Sequence, residues 1–112
     1  MDDCIFCKIA AGEMGTEFVL ERDDVVAFDD ISPQAPVHTL VIPRAHHESI
    51  KDDVPRELMA ELLDAANEVA RIKGIADTGY RLITNCGKDA GQTVMHLHFH
   101  VLGNTVMSEG DL

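Results

Sequence analysis

The spacing of apolar and polar residues along the 112-residue chain predicts seven elements. Apolar residues at helical spacing predict a short helix over 4–10 that ends near Gly12, and one long helix that Asp53 and Pro55 begin and Gly74 ends. β-Branched and apolar runs predict strands at 17–21, 25–30, 37–43, 80–85 and 94–102. The order predicts an α+β fold, an antiparallel sheet of about five strands with the long helix on one face.

Composition places the chain among ordinary globular proteins. Hydrophobic residues make up 46% and charged residues 26%, and no apolar run approaches the roughly 20 residues of a membrane span. Because no repeat, low-complexity tract or linker interrupts the pattern, residues 1–112 are expected to form a single domain. The N-terminal residues "MDDCIFCKIA" do not resemble a signal peptide, so a cytoplasmic location is expected.

Charge and cysteine content narrow the choice of partners. Nine basic residues against twenty acidic ones give a formal charge of -11, which repels a nucleic-acid backbone. Three cysteines in a reducing compartment predict a metal site or free thiols rather than disulfides. Cys4 and Cys7 form a C-x-x-C pair, whereas Cys86 stands alone and is interpreted as a small half-buried side chain.

The run "MHLHFHVLG" at 95–103 is the main chemical signal. On a strand, His96, His98 and His100 share one face and lie about 6.6 Å apart in succession. At an effective dielectric of about 20, one charged ring would repel a second charge on its neighbour by roughly 2.5 kcal/mol. At least one imidazole is therefore expected to stay neutral beside a neighbour that can be cationic, which suits a nucleophile and an anion-binding partner. The opposite face, expected to point into the core, comprises Met95, Leu97, Phe99 and Val101.

The same three histidines could instead chelate one zinc ion, and spacing alone does not exclude this. The preceding segment "GKDAGQT", at 87–93, favours the first interpretation. A glycine-bearing loop can bring backbone N–H groups, with the side chains of Gln92 and Thr93, to an anion. The pattern thus predicts phosphate chemistry on this face.

The segment "GQTVMHLHFHVLG" resembles the signature of the histidine triad family. The resemblance extends to "FDDISPQAPVHTLVIPRAH" and "NCGKDAGQT" and covers nearly the whole chain, most like the Hint-like purine nucleotide phosphoramidase branch. It implies an α+β homodimer whose two sheets join across the interface. It also implies a purine nucleotide, AMP-like, as the substrate.

The resemblance implies hydrolysis or transfer of a nucleotidyl group through a nucleotidyl-histidine intermediate. The substrates would be nucleoside 5'-phosphoramidates or related phosphoanhydrides. His98 would attack the α-phosphorus, with His38 supporting its protonation state and His96 and His100 completing the catalytic set. The residues implied in binding the nucleotide are His100, Asn85, Gln92 and Thr93 for the phosphate, Asp30 for the ribose hydroxyls, and Ile5, Phe6, Ile9, Phe28 and Leu40 for an apolar slot that takes the base. Ile31 and Val94 are implied as further nucleotide-binding residues.

The C-x-x-C pair resembles the family subset that carries a structural zinc. By that resemblance Cys4, Cys7, His46 and His96 would hold Zn²⁺, and His47 is an alternative to His46. Two free cysteines on a short helix remain the other interpretation. Two other functions also stay open: a nucleotide-binding regulatory module with vestigial hydrolysis, and a zinc-dependent hydrolase with metal on the three histidines.

Overall fold

The structure, a computed structural model, describes residues 3–111. The sheet has five strands in the order β1-β2-β3-β5-β4, and every neighbouring pair is antiparallel. The predicted α+β fold is therefore confirmed. None of the helices in the described residues is long and apolar enough to cross a membrane. The elements are α1 (Ile5–Ala10), β1 (Leu20–Glu21), β2 (Val25–Asp29), β3 (Val37–Pro43), α2 (Arg56–Ile72), β4 (Tyr80–Ile83) and β5 (Phe99–Gly103), with 3₁₀ turns at Lys88–Ala90 and Glu109–Asp111.

Each face of the sheet buries its own apolar cluster, because successive strand residues point to opposite faces. On β3, Val41 packs in the cluster beneath α2, whereas Leu40 and Ile42 pack in the cluster beneath α1. The α2 cluster is the larger and includes Val25, Ala27, Leu62, Ala66, Val69, Leu97, Phe99 and Val101. The α1 cluster comprises Phe6, Ala10, Val26, Phe28, Leu40 and Ile42.

Helix α2 is amphipathic and ends where the sequence predicts. Its last residues are followed by Lys73 and then by Gly74, whose φ of 75° is a left-handed conformation that favours glycine. At the other end Pro55 is the capping residue and its carbonyl accepts the N–H of Met59 at 3.0 Å. Asp53 lies in the preceding turn with φ 44° and does not cap the helix, so that part of the prediction is wrong.

Strand β3 has the predicted bounds, 37–43, whereas the other four strands are shorter than predicted. The prediction that residues 94–102 form one strand is wrong for its first half, because β5 begins at Phe99. The N–H of Leu97 instead donates to the carbonyl of His47 at 2.6 Å, outside the β ladder. Strand β1 begins three residues later than predicted, at Leu20, and strand β4 ends two residues earlier, at Ile83.

Candidate active site

The three histidines of the 95–103 run lie on the α1 side of the sheet. His100 is on β5, while His96 and His98 lie in the irregular segment that leads into it. The ring of Phe6, on α1, makes edge contacts with the rings of His96 and His98, with centroids 5.9 and 5.1 Å away. The predicted alternation is confirmed for Leu97, Phe99 and Val101, which are buried against α2, but it is wrong for Met95, which is 46% exposed.

His98 has one nitrogen fixed and one free. Its Nδ1 lies 2.7 Å from the carbonyl oxygen of His96. Because a carbonyl only accepts hydrogen bonds, Nδ1 carries the proton and Nε2 carries the lone pair. Nε2 has no hydrogen-bond partner within residues 3–111, and none of the unpartnered polar side-chain atoms there is fully buried. Nε2 therefore keeps some exposure, although His98 as a whole is only 9% exposed. Burial lowers the pKa of His98, which keeps the ring neutral.

His38 and His100 are diagonal neighbours on strands β3 and β5, where Leu40 pairs with His100 and His38 with Leu102. Nε2 of His38 lies 2.8 Å from Nδ1 of His100, and a carboxylate oxygen of Asp30 lies 3.4 Å from the same Nε2. Burial, followed by the charges of His98 and His38, lowers the pKa of His100 to about 4. Desolvation, rather than the like-charge repulsion predicted from the spacing, is thus the largest cause of the neutral ring.

A second cluster joins α1 to the histidine segment. Cys4, Cys7, His46 and His96 each offer a ligand atom, and these atoms all lie within 4.8 Å of one another. Nδ1 of His96 is 3.2 Å from Sγ of Cys4 and 3.5 Å from Sγ of Cys7, and Nδ1 of His46 is 3.3 Å from Sγ of Cys7. Nε2 of His96 is 2.8 Å from the Pro43 carbonyl, so its proton is on Nε2 and the lone pair of Nδ1 faces the thiols.

Comparison with known proteins identifies the family of the chain. The HIT domain family profile matches residues 11–107. The chain belongs to the HIT family. It is 42% identical over 108 residues to protein HitA of Neisseria gonorrhoeae, a match that covers 95% of this chain and 100% of that protein.

Solved structures of HIT proteins share the fold. A HIT family hydrolase from Clostridium thermocellum is 45% identical, with a TM-score of 0.91 and 96% of each chain covered. A histidine triad nucleotide-binding protein from Candida albicans is 29% identical, with a TM-score of 0.83 over 96% of this chain and 85% of that one.

In this HIT chain, the side-chain geometry bears on two open questions: whether His46 or His47 belongs to the cysteine cluster, and whether the three triad histidines could share one metal. His47 is not part of the cysteine cluster, and its Nδ1 lies 3.3 Å from the carbonyl of Asp52. The three histidines do not converge on one point either, because His96 turns its free nitrogen to the cysteines while His98 turns Nδ1 to a carbonyl. The geometry therefore favours His46 as the fourth ligand and opposes a metal shared by the triad.

The loop before the HIT histidines is braced by Gln92. Its Oε1 accepts the N–H of Gly87 at 2.8 Å, and its Nε2 donates to the carbonyls of Glu48 and Val94 at 2.6 and 3.0 Å. Both amide hydrogens are thus used within the protein, and Gln92 orders the loop instead of presenting a donor. Asn85 donates to the carbonyl of Ala90 at 2.9 Å.

Two of the predicted nucleotide-binding residues of the loop lie at its surface. Thr93 is exposed and Val94 is half-buried, and both line a cleft of about 430 Å³ with Ile5 and Met95. A slightly larger cleft, about 440 Å³, lies at the far end of β4 and β5 and contains none of the triad histidines. Neither cleft is lined by His96, His98 or His100, so cleft size does not indicate the position of the candidate site.

The predicted ribose and base residues fall into two groups. Asp30 and Ile31 follow β2, and Ile31 is 99% exposed. Ile9 is half-buried and Ile5 is 39% exposed. The remaining residues of the predicted slot form core contacts within the α1 cluster, with at most 8% exposure: Phe6, Phe28 and Leu40.

Sequence reasoning missed three groups that position the histidines. Thr84 donates through Oγ1 to the carbonyl of His98 at 2.8 Å. The carbonyl of Pro43 accepts from His96, and the main-chain N–H of Gln34 donates to Nδ1 of His38 at 2.9 Å. Two of the three are main-chain groups, a carbonyl that every residue supplies and an N–H that every residue except proline supplies, so the amino-acid pattern carried almost no signal for them.

Proposed function

We propose that this chain is a HIT hydrolase that cleaves nucleoside 5'-phosphoramidates of the AMP–amine type, or related phosphoanhydrides, through a nucleotidyl-histidine intermediate. The observation that carries the proposal is the His98 ring, whose protonated Nδ1 is hydrogen-bonded to a carbonyl and whose Nε2 lone pair has no partner among the described residues. The HIT family hydrolase from Clostridium thermocellum supports the reaction class, and the histidine triad nucleotide-binding protein from Candida albicans supports the ligand class.

The reaction proceeds in two displacements at phosphorus. Nε2 of His98 forms a bond to the α-phosphorus while the bond to the amine breaks, and the amine leaves with a proton taken from the site or from water. Water then attacks the same phosphorus and releases the mononucleotide, which returns His98 to its neutral form. Because the pKa of His98 is lowered, the lone pair is available without a general base.

Substrate binding is proposed for residues that the family resemblance implies. His100, Asn85 and Thr93 hold the phosphate oxygens, and backbone N–H groups of the loop that Gln92 orders add to them. Asp30 accepts hydrogen bonds from the ribose hydroxyls. The base lies against Ile31 and Ile9, at the open edge of the cluster that contains Phe28.

The cysteine cluster is proposed as a structural zinc site. Tetrahedral Zn²⁺ with sulfur and nitrogen ligands places those ligands about 3.6 Å apart, and the sulfur–nitrogen distances here are 3.2, 3.3 and 3.5 Å. Two thiolates and two imidazoles form a closed ligand set that suits this ion. When bound, zinc would link α1 to His46 and His96 and stabilise the fold, with no part in the displacement.

We also propose a homodimer built from this single domain. Strand β4 is an edge strand of the described sheet, with β5 as its one partner there. An unpaired edge of four residues is a template for a second strand, and a second copy would extend the sheet across a two-fold axis. Light scattering after size exclusion would test this, and a monomer at micromolar concentration would contradict it.

The activity test measures AMP release from an adenosine 5'-phosphoramidate. The native chain is expected to turn over the compound, and His98→Ala is expected to reduce the rate by at least about 10³-fold because the nucleophile is lost. His47→Ala is the matched control, since its main-chain carbonyl still accepts from Leu97 and the lost side-chain contact, from Nδ1 to the carbonyl of Asp52, lies outside the cysteine cluster. AMP binding without turnover would favour the regulatory module, and undiminished turnover by His98→Ala would contradict the mechanism.

A further inference from the structure

We propose that the main-chain N–H of Gln34 is a positioning group that fixes the tautomers of His38 and His100, so that His100 presents a neutral Nε2–H donor to the substrate phosphate. The inference starts from one contact, the N–H of Gln34 at 2.9 Å from Nδ1 of His38. Its effect on turnover rests on the proposed function, whereas its effect on the two rings does not.

The proton positions follow from the direction of two hydrogen bonds. The peptide nitrogen of Gln34 can only donate, so Nδ1 of His38 must accept and the proton of the neutral ring is on Nε2. That Nε2–H then donates to Nδ1 of His100 at 2.8 Å. Because Nδ1 of His100 is occupied as an acceptor, its own proton is on Nε2.

His100 then carries its ring proton on the opposite nitrogen from His98. His98 carries its proton on Nδ1 and offers a lone pair at Nε2, whereas His100 offers a proton at Nε2. The two ring centroids are 5.0 Å apart. A nucleophilic nitrogen and a neutral hydrogen-bond donor thus sit side by side, as attack on phosphorus with stabilisation of its oxygens requires.

The turn that carries Gln34 is held at both ends. Asp30 accepts the N–H of Ser32 on Oδ1 at 2.8 Å, and the N–H of Asp30 donates to the carbonyl of His38 at 3.0 Å. The side chain of Gln34 donates to the carbonyl of Ser32 at 3.2 Å. With Pro33 inside the turn, the N–H of Gln34 is presented to His38 by a restrained backbone.

A metal ion is the alternative occupant of this cluster, because Asp30, His38 and His100 offer ligand atoms within 4.8 Å of one another. A metal on Nε2 of His38 would move the ring proton to Nδ1, where it would meet the N–H of Gln34. The nitrogen–nitrogen distance of 2.8 Å is also that of a hydrogen bond. The contacts therefore favour a proton between the rings.

The first test uses the native protein without any substrate. Long-range ¹H–¹⁵N correlation spectra of the imidazoles near pH 7 report which ring nitrogen carries each proton. We expect His38 and His100 protonated on Nε2 and His98 on Nδ1, with scalar coupling across the bond between His38 and His100. A proton on Nδ1 of either His38 or His100 would overturn the proposal, whatever the enzyme turns over.

The second test removes the N–H itself. Gln34→Pro lacks this donor, and Ala35→Pro places the same ring one residue later while keeping it. Gln34→Pro is expected to show mixed tautomers at His38 and His100 and roughly ten-fold lower kcat, with KM changed less than about two-fold. Ala35→Pro is expected to keep the native ring spectrum.

The outcomes of the second test are distinct. A folded Gln34→Pro chain with native tautomers, or with altered tautomers and native kcat, would overturn the proposal. If Gln34→Pro does not fold, the spectra of the native protein decide the matter. If no phosphoramidate is turned over by the native chain, the proposed function fails while the tautomer assignment is still tested by those spectra.

Discussion

At the scale of single residues, the three triad histidines differ because the second nitrogen of each ring has a different partner. His96 donates from Nε2 to a carbonyl and turns Nδ1 to two thiols, while His98 donates from Nδ1 and leaves Nε2 free. His100 accepts at Nδ1 from His38. In the function we propose, one residue type would thereby provide a metal ligand, a nucleophile and a hydrogen-bond donor within five positions of the chain.

The edge contact of Phe6 with His98 predicts that Phe6 contributes to kcat as well as to stability. Phe6→Leu should lower both thermal stability and kcat, because the ring that abuts His98 is lost. Phe18→Leu is the control, since Phe18 packs on the same apolar cluster. Its loss should cost roughly 1–2 kcal/mol of stability with kcat unchanged. Equal kcat losses in both variants, measured with thermal midpoints, would contradict a positioning role for Phe6.

The lowered pKa of His100, about 4, predicts acid sensitivity. Between the unfolded pKa near 6.5 and the folded value, the unfolded chain binds more protons, so stability falls as pH falls through this window. The ring faces His98, His38 and Asp30 and is constant in charge above pH 7. Denaturant titrations should show that the free energy of unfolding falls less between pH 7 and pH 4.5 for His100→Gln than for the native chain. An equal loss in the two chains would contradict this cause.

At the scale of elements, the periodicity of apolar residues predicted which helices and strands form. It did not predict a strand boundary that depends on a single long-range contact. Both helices and the antiparallel sheet were predicted, because each element buries one apolar face. The start of β5 was missed because the N–H of Leu97 leaves the ladder for the carbonyl of His47. The same holds in the site, where the histidines and cysteines were found by residue type but the main-chain donors and acceptors were not.

Ile75, which follows α2, packs closely on Gly103 of β5, and this contact can be tested. A Cβ at Gly103 would lie 2.6 Å from Cδ1 of Ile75, so Gly103→Ala should cost about 1–3 kcal/mol. Ile75→Val removes that methyl group and alone should cost about 1 kcal/mol. The double variant should be more stable than the sum of the single changes predicts. Additive losses in urea titrations would show that the two positions do not clash.

At the scale of the whole molecule, α1 is attached to the sheet by a small set of contacts. The α1 cluster contains six buried residues, and Arg44 donates to the carbonyl of Ala10 at 2.6 Å. The cysteine cluster adds a third attachment through His46 and His96. A metal there would stabilise the fold in proportion to its affinity, because the unfolded chain has no preformed site.

Metal removal should therefore lower the melting temperature. If zinc is present at about 100 times its dissociation constant, its removal costs about 2.7 kcal/mol, which is roughly 10 °C or more for a domain of this size. Cys4→Ser should melt at the lower temperature with or without chelator, and Cys86→Ser should behave like the native chain. Calorimetry with zinc analysis checks this, and one zinc per chain in Cys4→Ser would contradict the assigned ligands.

The central claim is that Nε2 of His98 bonds to phosphorus, and mass spectrometry after a single turnover tests it most directly. Native protein mixed with an adenosine 5'-phosphoramidate and quenched in alkali, where a phosphorus–nitrogen bond to histidine survives, is expected to carry one AMP on the peptide that contains His98. An adduct on a different residue, or AMP release at the native rate by His98→Ala, would contradict the account.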